Sequence, residues 1–203
     1  LLLAQPAMGG TLLVVGDSIS AGFGLDTQQG WVDLLDKRLQ QQGFGYTVVN
    51  ASISGDTSSG GLARLPALLA EHRPALVVIE LGGNDGLRGQ PPQQLQQNLA
   101  AMISAARKQG AKVVLLGMQL PPNYGARYNK SFTQVYTDVA DVADKRVDDF
   151  VLFDEIEHGR AGALFYRQTP GNALRVVVLQ LPVPQRRANA LCGSGSEPLR
   201  QLE

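Results

Sequence analysis

The sequence predicts an α/β fold: a mostly parallel, five-stranded sheet with helices on both faces. Three observations carry that prediction. Short apolar, β-branched runs alternate with segments whose apolar residues recur at helical spacing. Those helical segments are long enough, at about 15 residues, to cross over from one parallel strand to the next. Polar clusters rich in Gly and Ser follow three of the strands, where sites of open α/β sheets lie.

The elements follow in order. Thr11–Val15 is a buried strand that ends at Gly16. From 29 to 42, Trp31, Leu34, Leu35 and Leu39 form a helical stripe that Gly43 closes. Tyr46–Asn50 is the second strand. Leu62, Leu65, Leu68 and Leu69 mark a second helix, stopped by His72-Arg73-Pro74. Ala75–Leu81 is the third strand and ends at Gly82-Gly83. Leu95, Leu99, Met102 and Ile103 mark a third helix, ended at Gly110. Lys112–Leu116 is a fourth strand, and Phe132, Val135, Tyr136, Val139 and Val142 mark a fourth helix. Phe150–Phe153 is the fifth strand, and Arg175–Pro182 looks extended.

The 203 residues suit one domain, taken as 11–187. Residues 1–10 begin Leu-Leu-Leu-Ala-Gln-Pro-Ala-Met and read as the remnant of a secretory leader, which puts the protein in the periplasm or outside a bacterial cell. Residues 188–203 lack periodicity and read as a tail. Lys plus Arg equals Asp plus Glu at 18 each, so no basic excess favours nucleic acid or an anionic membrane surface. No run approaches the ~20 apolar residues of a membrane span. One cysteine, Cys192, and two histidines, His72 and His158, exclude an internal disulfide and the Cys- and His-rich metal sites; no metal or cofactor is expected.

The polar clusters are Gly16-Asp17-Ser18-Ile19-Ser20, Ala51–Thr57, and Gly82-Gly83-Asn84-Asp85. Ser18 is read at a strand-to-helix turn, with Gly16 allowing the chain to turn tightly. A helix start there would favour an oxyanion. Gly55 brings a second backbone N–H with no side chain in the way, and the Asn84 amide supplies further donors. A nucleophilic serine among convergent donors is an acyl-transfer site. Each cluster alone has a simpler reading: Asp17 or Ser18 as a helix cap, Gly-Gly-Asn-Asp as a turn. The pattern does not fit the Gly-x-Ser-x-Gly elbow or a phosphate loop.

Taken together, the stretches VVGDSISAGFG, VVNASISGDTSSGGLARLPALL, LGGNDGLRG and LPPNYGARY resemble the SGNH (GDSL) hydrolases. They are especially similar to the bacterial periplasmic thioesterase I, lysophospholipase and arylesterase subgroup. The resemblance runs from about Thr11 to Val147. It implies a flavodoxin-like three-layer sandwich, Ser18 as nucleophile, and an oxyanion hole made of the Ser18 N–H, the Gly55 N–H and the Asn84 amide. It implies a small-molecule aryl or acyl ester, acyl thioester or lysophospholipid as substrate.

The family's fourth block, Asp-x-x-His-Pro, has no counterpart, and the expected place reads Leu164–Pro170. His72 precedes the third strand and falls at the wrong edge of the sheet. His158 follows the fifth strand on the site's rim. Glu155 lies three residues before it, with Asp154 as a second acid to orient the imidazole. The competing reading makes 154–158 a solvated charged turn. Arg88 and Tyr124 flank the rim, as pocket or ordinary surface residues. Two functions compete: a serine esterase with His158 as base, and a catalytically impaired acyl-binding protein on the same fold.

Overall fold

Strand side chains alternate between the faces of a sheet, so apolar residues in every register demand cover on both sides. The computed structural model meets that demand and describes residues 9–26, 28–142, 149–157 and 160–165. Residues 1–8 of the expected leader, His158, the extended reading of Arg175–Pro182, and the tail with Cys192 lie outside the described residues.

The chain order is β1 (Gly10–Gly16), α1 (Trp31–Gln41), β2 (Tyr46–Asn50), α2 (Ser58–His72), β3 (Leu76–Glu80), α3 (Gly83–Leu87), α4 (Pro92–Lys108), β4 (Lys112–Gly117), α5 (Ala126–Val142), β5 (Asp149–Glu157) and β6 (Arg160–Phe165). β1 starts one residue inside the segment assigned to the leader. The sheet runs β2-β1-β3-β4-β5-β6. The first five strands are parallel, and β6 lies antiparallel to β5. The five-stranded parallel sheet is therefore present, with a sixth strand that the sequence reading did not include. Only two residues separate β5 from β6, too few for the crossover a parallel partner needs.

Leu13, Val15, Val77, Ile79, Val113 and Leu115 point to the face covered by α2, α4 and α5. Leu12, Val14, Leu76, Val78, Val114 and Leu116 point to the other, where Val32, Trp31, Leu35 and Leu39 of α1 pack. α1 and α2 thus leave opposite faces, and the strand order reverses between β1 and β3. The crevice at such a switch point, beyond the carboxyl ends of the strands, is where sites in this architecture form.

Gly43 closes α1, as the sequence indicates. At the end of α1, Gly43 N–H donates to the Gln40 carbonyl (3.0 Å) and Phe44 N–H to the Leu39 carbonyl (2.9 Å), the paired bonds of a Schellman closure. Thr57 caps α2, its hydroxyl accepting from Gly60 N–H at 3.4 Å. Tyr136, wholly buried, donates to the Leu81 carbonyl at 3.1 Å and fixes α5 against the end of β3.

Leu115 is wholly buried at the centre of this packing. Leu115→Ala is expected to cost about 2–5 kcal/mol, read as a lower urea midpoint with an unchanged slope.

Candidate active site

The end of β1 is not built as the sequence suggests. No helix starts at Ser18. Residues 18–24 form irregular turns, with Ala21 N–H donating to the Asp17 carbonyl (2.9 Å) and Phe23 N–H to that of Ser18 (3.0 Å). Helix α1 begins only at Trp31, so its dipole does not act at Ser18. Asp17 caps this single turn, its Oδ1 accepting from Ile19 N–H at 3.0 Å. Gly16 is also used differently from the tight-turn expectation. It lies within β1 and has no positive φ. A Cβ there would sit 2.5 Å from Ser20 Oγ and 2.7 Å from Glu80 Oε2. Glycine is needed for space, not for turning.

Gly55 does need its conformational freedom. Its φ is 80°, in a turn closed by Asp56 N–H on the Ile53 carbonyl (3.1 Å). Among the described residues, neither the Ser18 N–H nor the Gly55 N–H is taken by a protein acceptor.

Asn84, in the first turn of α3, joins the three clusters. Its Nδ2 donates to Asp17 Oδ2 at 3.0 Å and to the Asp56 carbonyl at 2.9 Å. The residue before Ser18 and the residue after Gly55 are thus tied to one amide. Arg88, at the end of α3, donates to the Gly55 carbonyl at 3.0 Å. Tyr124 donates to the Leu87 carbonyl at 3.3 Å. Both residues named at the rim therefore brace the site loops through backbone carbonyls.

The charged surroundings went largely unread in the sequence. Arg64 of α2 pairs with Asp56 through Nε at 2.8 Å, donates to the Ala51 carbonyl, and reaches the Gly16 carbonyl at 3.3 Å. One guanidinium therefore binds the ends of β1 and β2 and the turn after Gly55. Asp85 accepts from Ser58 N–H at 2.8 Å and from the Ser58 hydroxyl at 2.5 Å, locking α3 to the first turn of α2. Glu80, the last residue of β3, is wholly buried. Burial and the neighbouring Asp17 push its carboxyl up to about 8. Burial also raises Asp17, against the hydrogen bonds from Ile19 and Asn84. The one signal that pointed to Glu80 was an acid in an otherwise apolar strand.

His72 lies in the last turn of α2, the end away from Ser58 and Thr57, where its Nε2 is 3.8 Å from Glu71 Oε1. It is not part of the site, as expected. Asp154 and Glu155 were expected past a strand ending at Phe153, as acids at the rim or, in the competing reading, in a solvated turn. They are strand residues instead, because β5 continues to Glu157. Pairing with β6, including Asp154 with Gly162 and Glu157 with Arg160, gives that extension its backbone partners. The last residue of β4 pairs with Leu152, so both acids lie past the carboxyl end of the parallel sheet.

The β1/β3 switch point thus brings together a serine after β1, an unengaged N–H after β2 and a bridging amide after β3. The GDSL-like Lipase/Acylhydrolase family matches residues 14–174. The chain belongs to this family. That match runs past residue 147, where the sequence resemblance ended. This GDSL-like hydrolase is 73% identical over 139 residues to "Esterase TesA" of Pseudomonas aeruginosa, covering 68% of the chain and 69% of that protein. It is 48% identical over 141 residues to an "Arylesterase" of Vibrio mimicus, covering 70% of each. It is 48% identical over 140 residues to "Thioesterase 1/protease 1/lysophospholipase L1" of Escherichia coli K12, covering 69% of the chain and 66% of that protein. A crystal structure of TesA superposes with a TM-score of 0.66 at 69% identity, over 70% of this chain and 76% of that one. The psychrotrophic esterase EstA from Pseudoalteromonas gives 0.66 at 41% identity, over 71% and 77%. These matches bear out the flavodoxin-like α/β expectation, and the strand order agrees with it.

Two measurements test this electrostatic frame. Arg64→Met, which strands the half-buried Asp56 and two carbonyls, is expected to lower unfolding stability by about 2 kcal/mol in urea titrations. The folded protein keeps the Glu80 proton where the unfolded chain, near 4.5, has released it. That stabilisation is full below 4.5 and is lost as pH rises towards about 8. The melting temperature should fall across that interval by more in wild type than in Glu80→Gln.

Proposed function

We propose that this carboxylic ester hydrolase works through an acyl-enzyme on Ser18. The Ser18 oxygen attacks the acyl carbonyl, the alcohol or thiol departs, and water hydrolyses the ester left on the serine. The observation that carries the reading is the Asn84 amide, which ties Asp17 beside Ser18 to Asp56 beside Gly55. It draws the three clusters together while the Ser18 and Gly55 N–H groups stay unengaged among the described residues. Those two N–H groups and the Asn84 amide act as the oxyanion donors. Asn84 joins by turning one N–H from its protein acceptor towards the developing negative charge, where a donor is worth about 10²–10³ in kcat.

His158 acts as the general base, and Glu155 or Asp154 orients it. The support is positional: both acids occur on the rim side of the sheet, and His158 follows them in sequence. The substrate is a neutral small-molecule ester, aryl or acyl, with thioesters and lysophospholipids as further acyl donors. The names of the Vibrio and Escherichia relatives support those classes. The impaired, acyl-binding alternative finds no support among relatives named as esterases. No helix among the described residues is long and apolar enough to cross a membrane. The periplasm or cell exterior is the proposed location, on the leader-like start of the sequence, and 11–187 the proposed single domain.

Ser18→Ala is expected to reduce p-nitrophenyl butyrate hydrolysis by at least about 10³-fold, with the melting temperature little changed. Wild-type turnover no faster than that of the variant would overturn the assignment. His158→Ala should cost about 10²–10⁴-fold, with the loss concentrated in kcat.

A further inference from the structure

Beneath the nucleophile turn lies a hydrogen-bonded chain that the hydrolysis does not use. Glu80 Oε2 accepts from Asp17 N–H at 3.2 Å and from the Ser20 hydroxyl at 2.5 Å. Ser20 Oγ in turn accepts from the Trp31 indole N–H at 3.2 Å. Glu80 Oε1 is buried and takes no hydrogen bond. One carboxyl oxygen therefore holds residues on both sides of Ser18, one before it and one two after. A Cβ at position 16 would lie 2.5 Å from Ser20 Oγ and 2.7 Å from Glu80 Oε2, so only glycine fits beside this bond.

We propose that Glu80 is a positioning residue for the nucleophile. Its carboxyl holds the turn that carries Ser18, and loss of its proton disturbs that turn and is felt at Trp31. The proposal rests on Ser18 being the nucleophile. The groups facing Glu80 fix the direction of the effect. Asp17 approaches from the turn itself, and Tyr136 faces it from α5. Asp85 of α3 faces both Asp17 and Tyr136. Arg64 of α2 stops at the Gly16 carbonyl, and among the described residues no cation pairs with Glu80. Ionised, Glu80 keeps the Asp17 N–H and the Ser20 hydroxyl as donors but is a buried charge with no cation against it, beside a second carboxylate. Relief comes from water entering at the unpartnered Oε1 side and from movement of Asp17 and Ser20, which carry the turn.

Trp31 is the sole tryptophan of the chain, so the protein's tryptophan emission comes from the indole at the end of this chain of bonds. The experiment is a fluorescence titration of the folded protein from pH 6 to 9.5, alongside kcat and KM for p-nitrophenyl butyrate. It is run in a Cys192→Ser background, because an ordinary thiol titrates in the same window. The expected result is one emission transition with a midpoint near the value of about 8 given by burial. With it, kcat should fall to about a tenth of its maximum one pH unit above that midpoint, with KM within about twofold. In Glu80→Gln the transition and the alkaline fall in kcat both disappear. Flat wild-type emission, or an alkaline fall that survives in Glu80→Gln, would overturn the proposal.

If Glu80→Gln does not fold, Ser20→Ala decides. It cuts the path from carboxyl to indole, so the emission should stop following the titration; an unchanged transition refutes the chain. Ser18→Ala separates the two readings. It should keep the emission transition, so a Ser18→Ala enzyme that remained active would refute the nucleophile assignment while leaving the fluorescence result standing.

Discussion

The geometry of this site depends on one side-chain amide. Asn84 spans two turns that belong to different strands, and its two donors are spent on atoms next to Ser18 and next to Gly55. Neither turn is regular secondary structure, and neither has a ladder of its own to hold it. The sheet sets where β1, β2 and β3 end, to within the register of their pairing. The last few ångströms, over which acyl-transfer geometry is decided, are set by Asn84, with Arg64 and Arg88 fixing the same turns from outside.

That division explains what could be read from the sequence. Ser18, Gly55 and Asn84 were legible because each follows a strand, and strand order in an open sheet brings strand ends together. The sheet itself was legible because β1, β3 and β4 are continuous apolar runs. Arg64 and Glu80 were not legible as site residues. Arg64 meets Gly16 across 48 positions of sequence, and Glu80 meets Ser20 across 60. Contacts of that span have no local signature. An arginine on a helix reads as solvated, and Glu80, read inside the third strand, carried no sign of the partner it meets.

Two departures from the sequence reading lie at element ends. Ser18 was expected at a strand-to-helix turn, with a helix starting there. The chain makes irregular turns there instead, and Gly22 and Gly24, both with positive φ, lie within them. The fifth strand was expected to end at Phe153, before Asp154 and Glu155. Antiparallel pairing with β6 carries the strand through them. Local turn bonds decide the first, and a neighbouring strand decides the second.

The crowding around Gly16 bears on how this sequence can change. A side chain at 16 needs the volume now filled by Ser20 Oγ and Glu80 Oε2. Shortening residue 80 alone opens a cavity beneath the Ser18 turn and leaves the Asp17 N–H without its acceptor. Enlarging residue 16 alone drives a methyl group into an oxygen. Positions 16, 20 and 80 therefore form a locked trio: single-step drift at any of them is penalised, and a viable route to a different trio passes through simultaneous replacement.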